Sequence, residues 1–252
     1  MWRELGEVFR TLGSTGDGCR CILLIGEGRS FCAGIDISDE NFGLMNAVDN
    51  ESGTDVARRY LSFRPKILEM QQCLTAIEEC AVPVVAAIHG ACIGGGIDVS
   101  CCADVRLCSP NAKFSVREAQ LGLAADVGTL QRLPKICGHG SRIRELCFTG
   151  ENFGAGEAAR LGFVSRVSAT DEDLLPMAMG VCQLIARNSP IAVHGTKLSL
   201  NYSRDHTVKE GLEHIATHNA AALMTDDLVA SFIASSSGKA AEFQPLLPQA
   251  KL

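Results

Sequence analysis

The chain has no apolar run of membrane-spanning length, no cluster of lysine and arginine, and no Cys-X-X-Cys pair. Each absence closes off a class of function. A helix that crosses a bilayer needs about 20 consecutive apolar residues, so no membrane span is expected. Without a basic stripe there is no groove to follow a phosphate backbone. With a formal net charge of −6, this argues against nucleic acid as the main partner. Without Cys-X-X-Cys, a zinc ribbon or a dithiol redox motif is unsupported. His214 and His218 stand four apart, but no Glu follows His214, so the pair reads as a solvated helix face rather than a metal site. The opening, MWRELGEVFRTLG, is interrupted by Glu4 and Glu7, unlike a secretory signal, and balances two arginines with two acids, unlike a transit peptide. There is no internal repeat.

What is present fits a soluble globular protein. The 252 residues are 46% hydrophobic and 21% charged, enough to bury a core without disulfides or a structural metal. Twelve cysteines do not form a framework: Cys21, Cys92, Cys101, Cys102, Cys108 and Cys147 fall inside apolar runs, where a reduced thiol serves as a small core residue. That pattern is expected of an intracellular protein.

Residues 2–12 read as an amphipathic helix with Leu5, Val8, Phe9 and Leu12 on one face. Residues 21–25 and 84–88 read as buried strands. Pro65 suits the first turn of a helix carrying Ile67, Met70, Leu74 and Ile77, and residues 37–55 a flexible surface stretch. Further strands are expected at 105–108 and 113–116. After residue 127 the pattern is helical throughout, with candidates at 128–133, 140–148, 154–161, 172–187, 191–203, 207–224 and 226–236. Strands alternating with helices, followed by helices alone, predict an α/β core over 1–170 and a helical region over 171–252.

Three segments carry polar residues in otherwise apolar settings. Residues 30–36 follow a strand and a Gly turn. In the second segment Gly94-Gly95-Gly96 opens a helix, where free N–H groups and the helix dipole favour negative charge; no Lys-Ser/Thr follows, so it is not a nucleotide-phosphate loop. Tight helix–strand packing explains the same glycines equally well. Asp98 follows in an apolar helix, Glu118 ends a strand-like run, and Asp126 lies in an apolar segment where it either caps the next helix or serves chemistry. If the three acids converge, burial and mutual repulsion raise at least one, leaving one carboxyl able to hold a proton while another acts as a base.

Phe31-Cys32-Ala33-Gly34-Ile35-Asp36, Pro83–Gly90, and Gly94-Gly95-Gly96-Ile97-Asp98 together resemble the paired signature of the enoyl-CoA hydratase/isomerase (crotonase) family. The resemblance extends through Ala103–Arg106 and Gly154–Val164 to Ser189-Pro190. It implies a crotonase-type spiral of ββα turns with a C-terminal helical trimerisation region, an acyl-CoA thioester substrate, and a homotrimer or hexamer. No cofactor is implied, because coenzyme A is part of the substrate. The family's two oxyanion N–H donors fall on Ile35 and Gly95, with Ala33, Gly34, Asp36 and Gly96 lining the CoA and thioester path. Family members carry a further strand and turn ahead of the helix that begins here near Trp2, where many hold the adenine end of CoA; a core without that strand is expected. Hydratases of the family resemble a Glu/Glu pair at positions 98 and 118. Asp98, Glu118 and the added Asp126 resemble instead the dienoyl-CoA isomerases, with Glu118 and Asp126 as the proton-transfer pair and Asp98 orienting or polarising them.

The resemblance thus points to isomerisation of a 3,5-dienoyl-CoA to the 2,4-dienoyl-CoA in β-oxidation of unsaturated fatty acids. An enoyl-CoA hydratase or Δ3-Δ2 isomerase is the alternative within the fold, and a non-catalytic acyl-CoA-binding protein the alternative outside it. Ala250-Lys251-Leu252 resembles the Ser-Lys-Leu address read by the peroxisomal import receptor. Peroxisome or glycosome is the expected location, with mitochondrion the alternative.

Overall fold

The chain is wound around Val84-Val85-Ala86-Ala87-Ile88, a strand with all five residues buried. Successive side chains of a strand point to opposite faces. Val84, Ala86 and Ile88 enter the main core, whereas Val85 and Ala87 join a second cluster with Leu107, Leu174, Ala178 and Cys182. A strand covered on both faces is an unbroken apolar run, the signal that predicts it from sequence. The computed structural model describes residues 1–12, 18–35 and 55–247. Asp36 and the Ala250-Lys251-Leu252 tail lie outside the described residues, as does nearly all of the expected surface stretch at 37–55.

Helix α1 (Trp2–Leu12) leads into β1 (Ile22–Ile25), α2 (Val56–Glu79), β2 (Val84–Ile88), β3 (Ala91–Ile93), α3 (Gly95–Cys102), β4 (Val105–Cys108) and β5 (Lys113–Ser115). A 3-10 turn over Glu118–Leu121 follows, then α4 (Thr129–Ile136), α5 (Gly140–Thr149), β6 (Phe153–Gly154), α6 (Ala155–Leu161) and β7 (Arg166–Val167). The chain ends in α7 (Leu174–Ala186), α8 (Pro190–Ser203), α9 (Val208–Ala222) and α10 (Asp226–Ser237).

The strands form two sheets that advance together. One is parallel with order β1-β2-β4-β7, and the other has order β3-β5-β6. Each turn of the chain lays a strand in the first sheet and then a shorter one in the second: β2 is followed by β3, and β4 by β5. Among the described residues, the first turn contributes a bridge to the second sheet, Cys32 paired in parallel with Cys92. Register is regular, with Ile22 opposite Val84, Val85 opposite Val105, and Ala91 opposite Lys113. This is the expected spiral of ββα turns.

The structure corrects some expectations. Helix α2 starts nine residues before Pro65, capped by Asp55, whose carboxylate accepts the Arg58 N–H at 3.0 Å. Its first turns are mostly exposed, and Pro65 is carried inside the helix at the loss of one backbone bond. Val8 is exposed on α1; Gly6 takes its place on the buried face. A Cβ at Gly6 would come within 2.9 Å of the Cys73 Cα, so glycine lets α1 cross α2 closely. Glu118 does not end a strand but opens the 3-10 turn, three residues after β5. Strands β3, β6 and β7, of two or three residues, are too short to show a period.

The C-terminal helices are anchored by polar contacts. Helix α7 covers one face of the parallel sheet through Leu174, Ala178 and Cys182. From α8, His194 Nδ1 bonds the Ala81 carbonyl at 2.8 Å. The buried Lys197 donates to the Val82 carbonyl at 3.0 Å and to Asp104 at 2.8 Å. Asn201 donates to the Glu78 carbonyl at 3.1 Å, and Arg204 pairs with the Glu78 carboxylate. Residues 194, 197, 201 and 204 form a single helical stripe. Helix α9 opens with a capping box of Thr207 and Glu210. His214 and His218 are not a solvated face: both are half-buried, His214 stacked on Tyr202 at 4.1 Å and His218 beside His194 at 6.3 Å.

Candidate active site

Ile35 and Gly95 come together through sheet register. Cys32 N–H donates to the Ala91 carbonyl at 2.9 Å, and Ile93 N–H to the Cys32 carbonyl at 3.0 Å. Ile35 and Gly95 each stand three residues beyond the bridged pair of Cys32 and Cys92. Gly95 is the first residue of α3, where backbone N–H groups have no partner within the helix. Of the early donors, Ile97 N–H and Asp98 N–H turn back to the Gly94 carbonyl.

Ile35, Gly95, Asp98, Glu118 and Asp126 all line one cavity of about 440 Å³. Its opposite wall is Trp2 of α1 and the stripe Phe63, Ile67, Met70 and Leu74 of α2. All three sequence-predicted acids and both predicted donors are thus brought to one place. Ala33, Gly34 and Gly96 do not line it. Ala33 is exposed, Gly34 takes φ +101° beside the Ile93 carbonyl, and Gly96 lies where a Cβ would meet Cys32 at 3.0 Å. Gly96 therefore serves close packing of α3 on the first turn of the spiral.

The three acids differ in surroundings. Asp98 is 1% exposed, and its Oδ1 accepts two bonds from Thr129, from N–H and from hydroxyl, each at 2.7 Å. Burial pushes the Asp98 carboxyl up; the Thr129 bonds pull it down, and the charge of Asp126 pushes it up again. Glu118 is 6% exposed, and its Oε2 is buried with no hydrogen-bond partner among the described residues. Burial raises it, and the charges of Asp98 and Asp126 add to the rise. Asp126 stays accessible to solvent, yet its partial burial is enough to raise its carboxyl. Its backbone carbonyl accepts from Gln71 Nε2 at 2.6 Å.

Asp126 does not cap α4. The N-cap is Gly128, which has no side chain to offer, and Asp98 reaches across from α3 to accept the first N–H instead. Two raised carboxyls beside backbone donors can exchange protons with a carbon acid whose oxygen is held by those donors.

Sequence reasoning missed Thr129 and the Trp2 and α2 wall. The stripe at 67, 70 and 74 is legible as a helix face, but periodicity does not tell a face that lines a cavity from one that enters a core. Thr129 carries no motif; its role depends on a partner 31 residues away.

A family model for enoyl-CoA hydratase/isomerase matches residues 1–234, and the chain belongs to that family. It is 43% identical over 239 residues to the mitochondrial Δ(3,5)-Δ(2,4)-dienoyl-CoA isomerase of Homo sapiens, covering 95% of this chain and 71% of that protein. It is 44% identical over 207 residues to the peroxisomal Δ(3,5)-Δ(2,4)-dienoyl-CoA isomerase of Arabidopsis thaliana, covering 82% and 73%. Among solved structures, an enoyl-CoA hydratase/isomerase from Cupriavidus metallidurans superposes with a TM-score of 0.81 at 28% identity, covering 99% of this chain and 88% of that one. The expected crotonase-type fold is borne out.

Proposed function

We propose that the chain is an enzyme that isomerises a 3,5-dienoyl-CoA to the 2,4-dienoyl-CoA in β-oxidation of unsaturated fatty acids, with Glu118 and Asp126 as the proton-transfer pair. The observation that carries this reading is the meeting of three raised carboxyls and two backbone donors in one cavity. It is supported by relatives named for that reaction at 43–44% identity. A simple hydratase has no need of a third acid at position 126.

The chemistry is balanced within the substrate. One carboxylate takes a proton from C2, and the electron pair spreads over an extended enolate reaching C6, whose oxygen is held by the Ile35 and Gly95 N–H groups. The other carboxyl delivers a proton to C6, and the double bonds move into conjugation with the thioester. No electrons leave the substrate, so the reaction itself calls for no cofactor. The apolar wall of Phe63, Ile67 and Met70 suits an acyl chain, and Ala33, Gly34, Asp36 and Gly96 are assigned to the CoA and thioester path.

The oligomer is a homotrimer or hexamer formed through residues 171–252, on a core of residues 1–170. Support comes from the apolar side chains that α9 and α10 leave exposed, among them Leu212, Val229, Phe232 and Ile233. Ala250-Lys251-Leu252 would engage the peroxisomal import receptor, placing the protein in peroxisome or glycosome. The Arabidopsis relative is named peroxisomal and the human one mitochondrial.

The test is absorbance on mixing with 3,5-octadienoyl-CoA, whose conjugation with the thioester changes on conversion. Turnover in the native chain, lost in folded Glu118→Gln and Asp126→Asn, is expected. Hydration of crotonyl-CoA with no turnover of the diene would move the assignment to hydratase.

A further inference from the structure

Helix α4 is preceded by Gly128, which has no side chain to cap it, yet its first N–H, that of Thr129, is satisfied. The acceptor is Asp98 Oδ1, which also takes the Thr129 hydroxyl; both bonds are 2.7 Å and both residues are buried. Asp98 lies three residues after Gly95, the oxyanion donor. Asp126 lies three residues before Thr129. The same pair of bonds therefore joins the helix that carries a donor to the segment that carries a proton-transfer acid. Gln71 holds the Asp126 carbonyl from α2, and one turn into α4 Arg132 donates to Glu78 at 2.6 Å. The start of α4 is thus fixed to both α2 and α3.

We propose that Thr129 is a positioning residue: its N–H and hydroxyl clamp the Asp98 carboxylate, and through it set the Asp126 segment against the Gly95 donor. Asp98 acts through the other two acids rather than on substrate. This rests on the isomerase reading for its kinetic consequence, but the clamp itself is independent of it.

The charges around the clamp give a signature. Asp98 is faced by Asp126, Glu118 and Arg132, with the thiols of Cys92, Cys101 and Cys102 nearby, all pushed up by burial and neutral. Glu118 is faced by Asp98, by Asp126 and by the Cys147 thiol. A hydroxyl bonded to a carboxylate favours its charged form. Removing the hydroxyl leaves Asp98 neutral over a wider pH range, and a neutral Asp98 no longer pushes Glu118 up. Glu118 should then titrate closer to the ordinary carboxylate range.

The experiment compares the full chain with Thr129→Val, Thr129→Ser, Asp98→Asn and the Thr129→Val/Asp98→Asn double variant. Side-chain carboxyls labelled with 13C are titrated without substrate, and kcat and KM are measured with 3,5-octadienoyl-CoA. Thr129→Val is expected to move the Glu118 titration down in pH and to lower kcat by roughly 10- to 100-fold, the worth of one bond to a charged group. KM should change by less than about threefold, as expected when a group acts in the transition state alone. Thr129→Ser should restore both readouts. In the Asp98→Asn background Thr129→Val should add almost nothing. Should Thr129→Val not fold, Thr129→Ala makes the same comparison. A folded variant whose Glu118 titration is unmoved overturns the proposal, whether or not kcat falls, as does full additivity with Asp98→Asn. If the native chain does not turn over the diene, the isomerase reading falls while the titrations still decide the clamp.

Discussion

Glu118 lies directly over Gly94: a Cβ at Gly94 would be 3.1 Å from Oε1 of the glutamate. Gly94 also takes φ +52°, a conformation L side chains rarely adopt. The turn that opens α3 is therefore shaped twice over, by its own backbone and by the carboxylate above it. Gly94→Ala is expected to cost about 1–3 kcal/mol of stability from the backbone alone. It should also lower kcat/KM by about tenfold or more, since Glu118 must shift. Thermal denaturation and steady-state kinetics measure the two effects; a variant with native kinetics would mean that Glu118 is not held over this turn.

Glu118 should also make the protein less stable as pH rises. Its folded-state carboxyl is raised, so the folded chain binds that proton more tightly than the unfolded one. The associated stability is present below the unfolded value and is lost as pH rises through the folded one. Glu118→Gln removes the charge, so the variant should melt higher than the native chain at neutral pH, by roughly 2–4 °C for each kcal/mol relieved. The advantage should vanish when both are melted in the acid range. A variant that melts lower at neutral pH would contradict the unpartnered state of Oε2.

Trp2 is the single tryptophan of the chain, and its ring comes within 3.0 Å of where a Gly95 Cβ would be. A thioester held by the Gly95 N–H must lie beside the indole. Saturating octanoyl-CoA, a non-reacting analogue, is expected to change the intrinsic emission with the same concentration dependence as its inhibition of turnover. Emission that ignores the ligand while inhibition saturates would place the thioester elsewhere.

Lys197 is buried against Asp104 and the Val82 carbonyl. Lys197→Met leaves Asp104 without its cation, although the Val84 N–H still donates to it at 2.7 Å. A loss of about 3–5 kcal/mol is expected, read from denaturant midpoints at unchanged m-value. A loss below about 1 kcal/mol would show that the α8 stripe does not hold the C-terminal helices to the core.

Phe232 and Ile233 are 69% and 61% exposed on α10. Phe232→Glu is expected to shift the sedimenting species from trimer or hexamer toward monomer at equal folded content. A native chain that sediments as a monomer would remove the oligomer from the proposal.

Much of this was legible in the sequence because the fold rests on local signals. Val84–Ile88 is an unbroken apolar run because it is covered on both faces, and the last three helices carry side-chain caps in Ser189, Thr207 with Glu210, and Thr225. The acids were legible by contrast, as charges in apolar surroundings. Other features had no local signal. The α8 stripe of His194, Lys197, Asn201 and Arg204 is polar, so hydrophobic periodicity is blind to it. Pro65 was misleading because α2 tolerates it on an exposed turn. Thr129 and the Trp2 wall matter only through partners distant in sequence, and nothing in a single residue type announces such a partner.

The bridge between Cys32 and Cys92 has a consequence for how such a molecule can change. The two proposed donors, Ile35 and Gly95, each lie three residues beyond this paired backbone, so their spacing follows chiefly from the spiral's pitch. Glu118 and Asp126, in contrast, hang from the 3-10 turn after β5 and the segment before α4, which are outside the sheets, while Asp98 rides on α3 with Gly95. Substitutions there can exchange one proton-transfer arrangement for another while the enolate cradle stays as built. The scaffold thus separates what every reaction of a thioester enolate shares from what distinguishes one reaction from the next.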